Sequence, residues 1–212
     1  MITPAFTPPV RYAILVGGLD FEQENGKLGV QKIIDELEVE FRERGFRVVP
    51  MRENVQKESL SRLLDEAQRL SMEALRLPTF IFYYCGHHGI PGFQLNNGIY
   101  DRNVLMEKLR RIRGEKLAIF DCCHAGMMGS YSGIGMTILA ATQEGYLAYA
   151  DRKSEGNRLL LSDGILKFMK NNPGRFPLGS LFECLNNNLT ITQWQNPGIR
   201  GAKEFIFPNK EK

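Results

Sequence analysis

Thr79-Phe80-Ile81-Phe82-Tyr83-Tyr84 is aromatic or β-branched at every position and predicts a buried β-strand. It runs straight into Cys85-Gly86-His87-His88-Gly89. A second run, Leu117-Ala118-Ile119-Phe120, predicts a short central strand that ends in Asp121-Cys122-Cys123-His124-Ala125-Gly126. Strands that are apolar throughout, with no polar alternation, belong to parallel sheets covered on both faces. Working outward, Tyr12-Ala13-Ile14-Leu15-Val16 predicts another buried strand, closed by Gly17-Gly18. Val30, Ile33, Ile34, Leu37 and Phe41 recur at helical spacing, and Gly45 stands where that helix should end. Phe46-Arg47-Val48-Val49 follows as a short strand, then Leu60, Leu63, Leu64, Ala67 and Leu70 as the stripe of a second helix.

Between the two leading strands, Phe93-Gln94-Leu95 and Ile99-Tyr100 flank Asn96-Asn97-Gly98, the signal of a small hairpin. Asp101 can cap a third helix carrying Val104, Leu105 and Leu109. Downstream lie a strand at Met136-Thr137-Ile138-Leu139-Ala140-Ala141, helices near 159–170 and 178–189, and a last strand at Phe205-Ile206-Phe207. Strands alternating with helices predict an α/β architecture around a largely parallel sheet. Without repeats, linkers or low-complexity tracts, residues 1–212 are expected to form one domain.

Composition narrows the function. A net charge of +3 with no basic, aromatic-interleaved run gives no footing for nucleic acid. No apolar stretch approaches the roughly 20 residues of a membrane span. Residues 1–9 lack a basic head followed by an apolar segment, so no signal peptide is expected and a cytoplasmic protein is. Four cysteines in 212 residues are not a disulfide framework, and the adjacent Cys122 and Cys123 are poorly placed to bridge each other.

All three histidines fall in the two strand-end segments, His87 and His88 in one and His124 in the other. In open α/β sheets, sites collect outside the carboxyl ends of the strands. A histidine near a cysteine lowers the thiol pKa and can protonate a leaving amine, the core of cysteine-protease chemistry. Glycines around both segments let backbone N–H groups approach a developing oxyanion. Cys85, Cys122 and Cys184 read as packed side chains. The spacings Cys85-x-His87 and Cys122-Cys123 do not match structural zinc sites, so no metal is expected. Adjacent cysteines are not a Cys-x-x-Cys redox pair either.

The paired segments resemble the caspase-like peptidases, closest to metacaspases and their bacterial relatives. Those proteins carry one strand ending Tyr-Ser-Gly-His-Gly and another ending Asp-x-Cys-His-Ser-Gly. Here the segments are Tyr84-Cys85-Gly86-His87-His88 and Asp121-Cys122-Cys123-His124-Ala125-Gly126. The opening strand through Gly17, Leu139-Ala140-Ala141-Thr142-Gln143 and Gln195-Asn196-Pro197 extend the resemblance towards both ends. It implies a caspase-like three-layer sandwich: a mostly parallel sheet of about six strands with helices on both faces.

The resemblance further implies Cys123 as nucleophile and a histidine as acid–base partner, in a dyad without a third carboxylate. Cys85 and Ala125 replace the family's serines, and His88 replaces the glycine after its catalytic histidine. Counted from the strand, His87 takes the catalytic place; counted from the following glycine, His88 does. The strand register favours His87, because a one-residue slip reverses the face. The N–H of Cys123, with one from His88-Gly89, would form the oxyanion hole, and His124 would be supporting. Asp121 stands where metacaspases carry a pocket acid for Arg or Lys, with Asp20, Glu144 and Asp151 as candidates for a second. The expected partners are a protein or peptide substrate and an upstream activator or regulatory protein. No cofactor is expected, and calcium activation, known in some metacaspases, is left open. The alternative is a catalytically silent scaffold of the same fold.

Overall fold

The computed structural model describes residues 10–18, 24–52, 54–133, 135–151 and 158–211. In chain order the elements begin β1 (Arg11–Gly17), α1 (Glu24–Arg42), β2 (Arg47–Met51), α2 (Lys57–Glu73) and β3 (Thr79–Cys85). A small ribbon of β4 (His88–Gly89), β5 (Gly92–Leu95) and β6 (Gly98–Asp101) leads into α3 (Arg102–Arg111) and β7 (Glu115–Asp121). A 3₁₀ helix, Ala125–Tyr131, precedes β8 (Met136–Ala140), β9 (Ala150–Asp151), β10 (Arg158–Leu159) and α4 (Leu160–Asn171). The chain ends with β11 (Phe176–Pro177), α5 (Leu178–Asn186), α6 (Leu189–Thr192), β12 (Gly198–Arg200) and β13 (Ile206–Phe207).

Six strands form the main sheet in the order β12-β8-β7-β3-β1-β2. All pairs are parallel except β12 with β8. Because successive strand side chains point to opposite faces, each central strand feeds two cores. Leu15, Ile81, Tyr83, Leu117 and Ile119 pack with Ile33, Leu37 and Phe41 of α1 and with Leu161, Ile165 and Met169 of α4. Val16, Phe80, Phe82, Phe120 and Ile138 pack with Leu60 and Leu64 of α2 and with Leu105 and Leu109 of α3. That double burial explains why these strands are apolar throughout, and it makes the molecule a three-layer α/β sandwich.

Local signals act where they stand. Asp101 accepts the Val104 N–H at 3.0 Å and so caps α3. After α1 the chain turns through Gly45, and the Phe46 N–H returns to the Phe41 carbonyl at 3.0 Å. The expected last strand is present as β13, outside the main sheet. Ile206–Phe207 pairs with Phe176–Pro177 in a separate ribbon, and the sheet is completed by β12 instead. Phe205 and Phe207 are fully buried under the α1 layer, where Phe207 stacks on Phe41 and Phe176. Burying two aromatic rings there outweighs edge pairing, which three residues around Ile199 supply.

Arg44 is fully buried just beyond α1. Its Nη1 donates to the carbonyls of Gly174 and Pro208, and its Nη2 to those of Met169 and Asn172. The guanidinium also lies 4.9 Å from the centre of the Phe176 ring. Burial pulls its pKa down, opposed by Glu40 and Glu43. One cation thereby ties α1, the carboxyl end of α4 and the 172–208 region together.

Candidate active site

β3 and β7 are neighbours in parallel, and the last pair of their register is Cys85 opposite Asp121. His87 and Cys123 each lie two residues past that pair, beyond the ends of two strands that run about 5 Å apart. Both side chains are half-buried. The two ends are also joined directly, by the Gly86 N–H to the Asp121 carbonyl at 3.4 Å. Gly86 adopts φ +142°, where a side chain would be strained and a Cβ would stand 3.0 Å from the Gly18 Cα. This bend lets the chain leave the strand towards the ribbon.

Strand alternation separates the two adjacent cysteines. Cys122 is 1% exposed in the α2/α3 core, and burial beside Asp121 pushes its thiol pKa well up. A thiol so held is inert. Cys123 follows on a turn whose next residue, His124, has φ 56°. Positive φ at a non-glycine residue marks a constrained turn. The His124 N–H donates to the Tyr146 carbonyl at 2.8 Å, and the His124 carbonyl accepts from Met127 at 3.1 Å. Next, a Cβ on Gly126 would lie 2.3 Å from the Glu144 nitrogen, so the loop around 143–146 packs hard on the nucleophile turn. Glu144 itself is exposed in that loop.

The two neighbouring histidines have different surroundings. The Tyr84 hydroxyl donates to the His87 carbonyl at 2.6 Å, and the Gln94 N–H reaches the same oxygen at 3.0 Å. These contacts fix the His87 backbone. His88 is 6% exposed, with its ring centre 4.7 Å from that of Phe93. Its Nδ1 lies 3.0 Å from the Cys123 carbonyl, which can only accept, so Nδ1 carries the proton. Nε2 is buried without a partner among the described residues. Burial lowers the His88 pKa to about 4, so the ring is neutral near pH 7. His88 therefore braces the nucleophile turn from behind. With Gly89 it forms β4, paired to Phe93 and Gly92.

Asp121 is 0% exposed on the α1/α4 face. Its Oδ2 accepts the Ser162 N–H at 2.9 Å and also the Ser162 hydroxyl. Ser162 Oγ is in turn hydrogen-bonded to the Tyr83 hydroxyl, which must be the donor because Oγ–H points at Asp121. Oδ1 is buried without a partner among the described residues. Burial raises the Asp121 pKa to about 6, against the lowering effect of the two Ser162 hydrogen bonds. The structure thus holds Asp121 at the start of α4. Of the other acids, Asp20 lies outside the described residues, as do residues 1–9, and so does the side chain of Asp151.

Ser162 and Tyr83 escaped the sequence reading. A signal was present: Leu159 caps α4 without any polar side chain, which asks for an acceptor from elsewhere. Gln195 is also engaged, its Oε1 accepting the Tyr149 N–H at 3.1 Å. Near it Tyr149 and Trp194 are in ring contact, and with Tyr146 and Leu147 they are exposed. Among the described residues no group of three or more His, Cys, Asp or Glu could hold a metal. No described helix is long and apolar enough to cross a membrane.

Comparison with known proteins bears on the fold. No family model matches the sequence, and no curated protein does either. Among solved structures, caspase-1 from Spodoptera frugiperda superposes with a TM-score of 0.70 at 12% identity. The match covers 96% of this chain and 91% of that one. The fold is caspase-like.

Proposed function

We propose that this chain is a cysteine endopeptidase in which Cys123 is the nucleophile and His87 the acid–base group. The reading is carried by the register of β3 and β7, in which His87 and Cys123 stand equally far past Cys85 and Asp121. Two further facts support it. Cys122 is buried with a raised pKa, and His88 is neutral with its proton committed to the Cys123 carbonyl. In the proposed reaction the Cys123 thiolate adds to the substrate carbonyl, and His87 donates its proton to the departing amine. His87 then takes a proton from water, whose oxygen attacks the thioester, and the thiolate leaves. Backbone N–H groups of Cys123 and of His88-Gly89 would hold the oxyanion.

Cleavage after Arg or Lys belongs to the same proposal, with Asp121 as the pocket acid. A desolvated carboxylate favours a cation and repels a substrate aspartate at a cost of several kcal/mol. The substrate is a protein or peptide, with the exposed Tyr146, Leu147, Tyr149 and Trp194 as apolar surface beside the nucleophile loop. A cytoplasmic effector role, switched on by a regulatory protein, completes the reading.

A mixed peptide library with products read by mass spectrometry tests this, alongside an irreversible thiol-directed probe. The expected result is cleavage after basic residues and labelling of Cys123 faster than free cysteine. Labelling no faster than free cysteine, with no cleaved peptide, would make the chain a silent scaffold.

A further inference from the structure

The amino ends of the parallel strands lie one strand length, about 20 Å, from the candidate active site. There the register sets Arg11 of β1 beside Thr79 of β3, and Thr79 beside Glu115 of β7. In-register neighbours on parallel strands point to one face. Two residues on, Ala13, Ile81 and Leu117 lie in the core under α1 and α4, so Arg11, Thr79 and Glu115 share that face. A cation, a hydroxyl and an acid thus stand in a row across three strands. The row lines a cleft of about 660 Å³, together with Arg175 and the segment 206–211 near the end of the chain. That volume suits a small organic ligand. The segment is fastened in place, the Lys210 N–H donating to the Pro173 carbonyl at 3.0 Å.

The charges in the cleft are unevenly matched. Lys210 is held by Glu40 and Glu43, at 3.0 and 2.7 Å. Arg11 reaches Glu211 at 3.4 Å, long for a charge-assisted bond. The side chains of Arg175 and Glu115 have no partner among the described residues. Although Glu115 is exposed as a residue, partial burial of its carboxyl raises its pKa, and no cation offsets that cost.

We propose that this cleft binds a short peptide of two or three residues with both ends free, its carboxylate on Arg175 and Arg11 and its ammonium on Glu115. Arg11 and Glu115 are two strand spacings apart, about 10 Å, which is the reach of three extended residues. A single amino acid, whose two charges are adjacent, satisfies one end only. An inorganic anion leaves Glu115 unpaired and meets its repulsion. The Thr79 hydroxyl and the Asn209 amide, which line the same cleft, can serve the peptide groups between the charged ends. The inference is independent of the peptidase reading, because the cleft lies at the opposite end of the sheet from Cys123.

Isothermal titration of the whole protein with trialanine tests it, since that peptide carries no basic residue for cleavage. The expected Kd is below about 1 mM. N-acetyl-trialanine and trialanine amide each lack one end charge and should bind at least about tenfold more weakly, as should free alanine. Glu115→Gln should bind trialanine as weakly as the wild type binds the acetylated peptide, and Arg175→Ala as weakly as it binds the amide. No measurable binding of trialanine by the wild type overturns the inference, and so does equal binding of the blocked peptides. Wild-type affinity in both variants does the same, because the peptide then sits elsewhere. Should either variant not fold, the blocked peptides on the wild type and the remaining variant decide.

Discussion

Cys122 and Cys123 are chemically identical and one position apart, yet the sheet sends them to opposite environments. The buried thiol is raised in pKa; the half-buried one sits on a constrained turn with His124 at φ 56°. Cys123→Ala should therefore abolish peptide cleavage and Cys122→Ala should keep most of it, as measured by turnover of a basic peptide. The reverse pattern would mean the nucleophile was placed one residue out. The histidines divide in a similar way. His87→Ala should lose at least about a hundredfold in kcat/KM, the usual scale for an acid–base group. His88 affects stability instead, and its sign follows from its pKa. In the fold that value is lowered to about 4, so the ring stays neutral while the unfolded chain takes up a proton below about pH 6.5. The stability His88 supports is complete above about pH 6.5 and declines as pH falls towards 4. His88→Asn keeps an N–H for the Cys123 carbonyl but cannot titrate. Between pH 7 and pH 5 it should lose about 1–2 kcal/mol less than the wild type in urea unfolding. Equal losses would remove His88 from the account.

At the scale of elements, the meeting of β7 with α4 decides what Asp121 can do. Its raised pKa reverses the His88 argument. Between about pH 4 and 6 the folded protein binds a proton that the unfolded chain has released, so burying this acid costs stability above about pH 6 and costs less as pH falls. Asp121→Asn keeps an oxygen for both Ser162 donors and removes the charge. Its melting temperature at pH 7.5 should equal or exceed that of the wild type, while cleavage of basic peptides falls about a hundredfold or more. A variant that loses stability but keeps its preference for basic substrates would make Asp121 a helix cap alone.

Across the whole molecule, Arg44 joins segments far apart in the chain, reaching the Met169 carbonyl 125 residues on and the Pro208 carbonyl 164 residues on. Arg44→Met leaves four carbonyls short of a donor and should cost about 3 kcal/mol or more, read as a lowered denaturant midpoint. A loss below about 1 kcal/mol would show that water replaces the guanidinium. The segment after the nucleophile bears on maturation. It folds back as the Ala125–Tyr131 helix and bridges Gly133 to Met136, and residues 124–135 contain no Lys, Arg, Asp or Glu. The active protein should be a single chain, intact between Cys123 and Met136. Arg152 and Lys153, outside the described residues, and Arg158 are the expected nick sites. Fragments from active protein, sequenced at their amino ends, check this; a cut after the nucleophile would refute it.

The sequence by itself determined what depends on near neighbours. The apolar runs at 79–84 and 117–120, the helical stripes around Ile33 and Leu64, the Asp101 cap and the Asn96-Asn97-Gly98 turn follow from periods of 2 and 3.6 and from backbone preference. The pairing of the two strand-end motifs was legible for another reason: sites gather at the carboxyl ends of parallel strands, and the paired motifs resemble those of caspase-like peptidases. Tertiary structure alone decided the rest. Asp121 meets Ser162 across 41 residues, and His88 meets the Cys123 carbonyl across 35. Which strands share a sheet was decided there too: Ile206–Phe207 pairs with Phe176–Pro177, and Ile199 lies on the edge of the main sheet. No local period encodes such contacts; they form only when layers pack, and burial and hydrogen bonding between distant residues then set which acid, thiol or imidazole carries a charge.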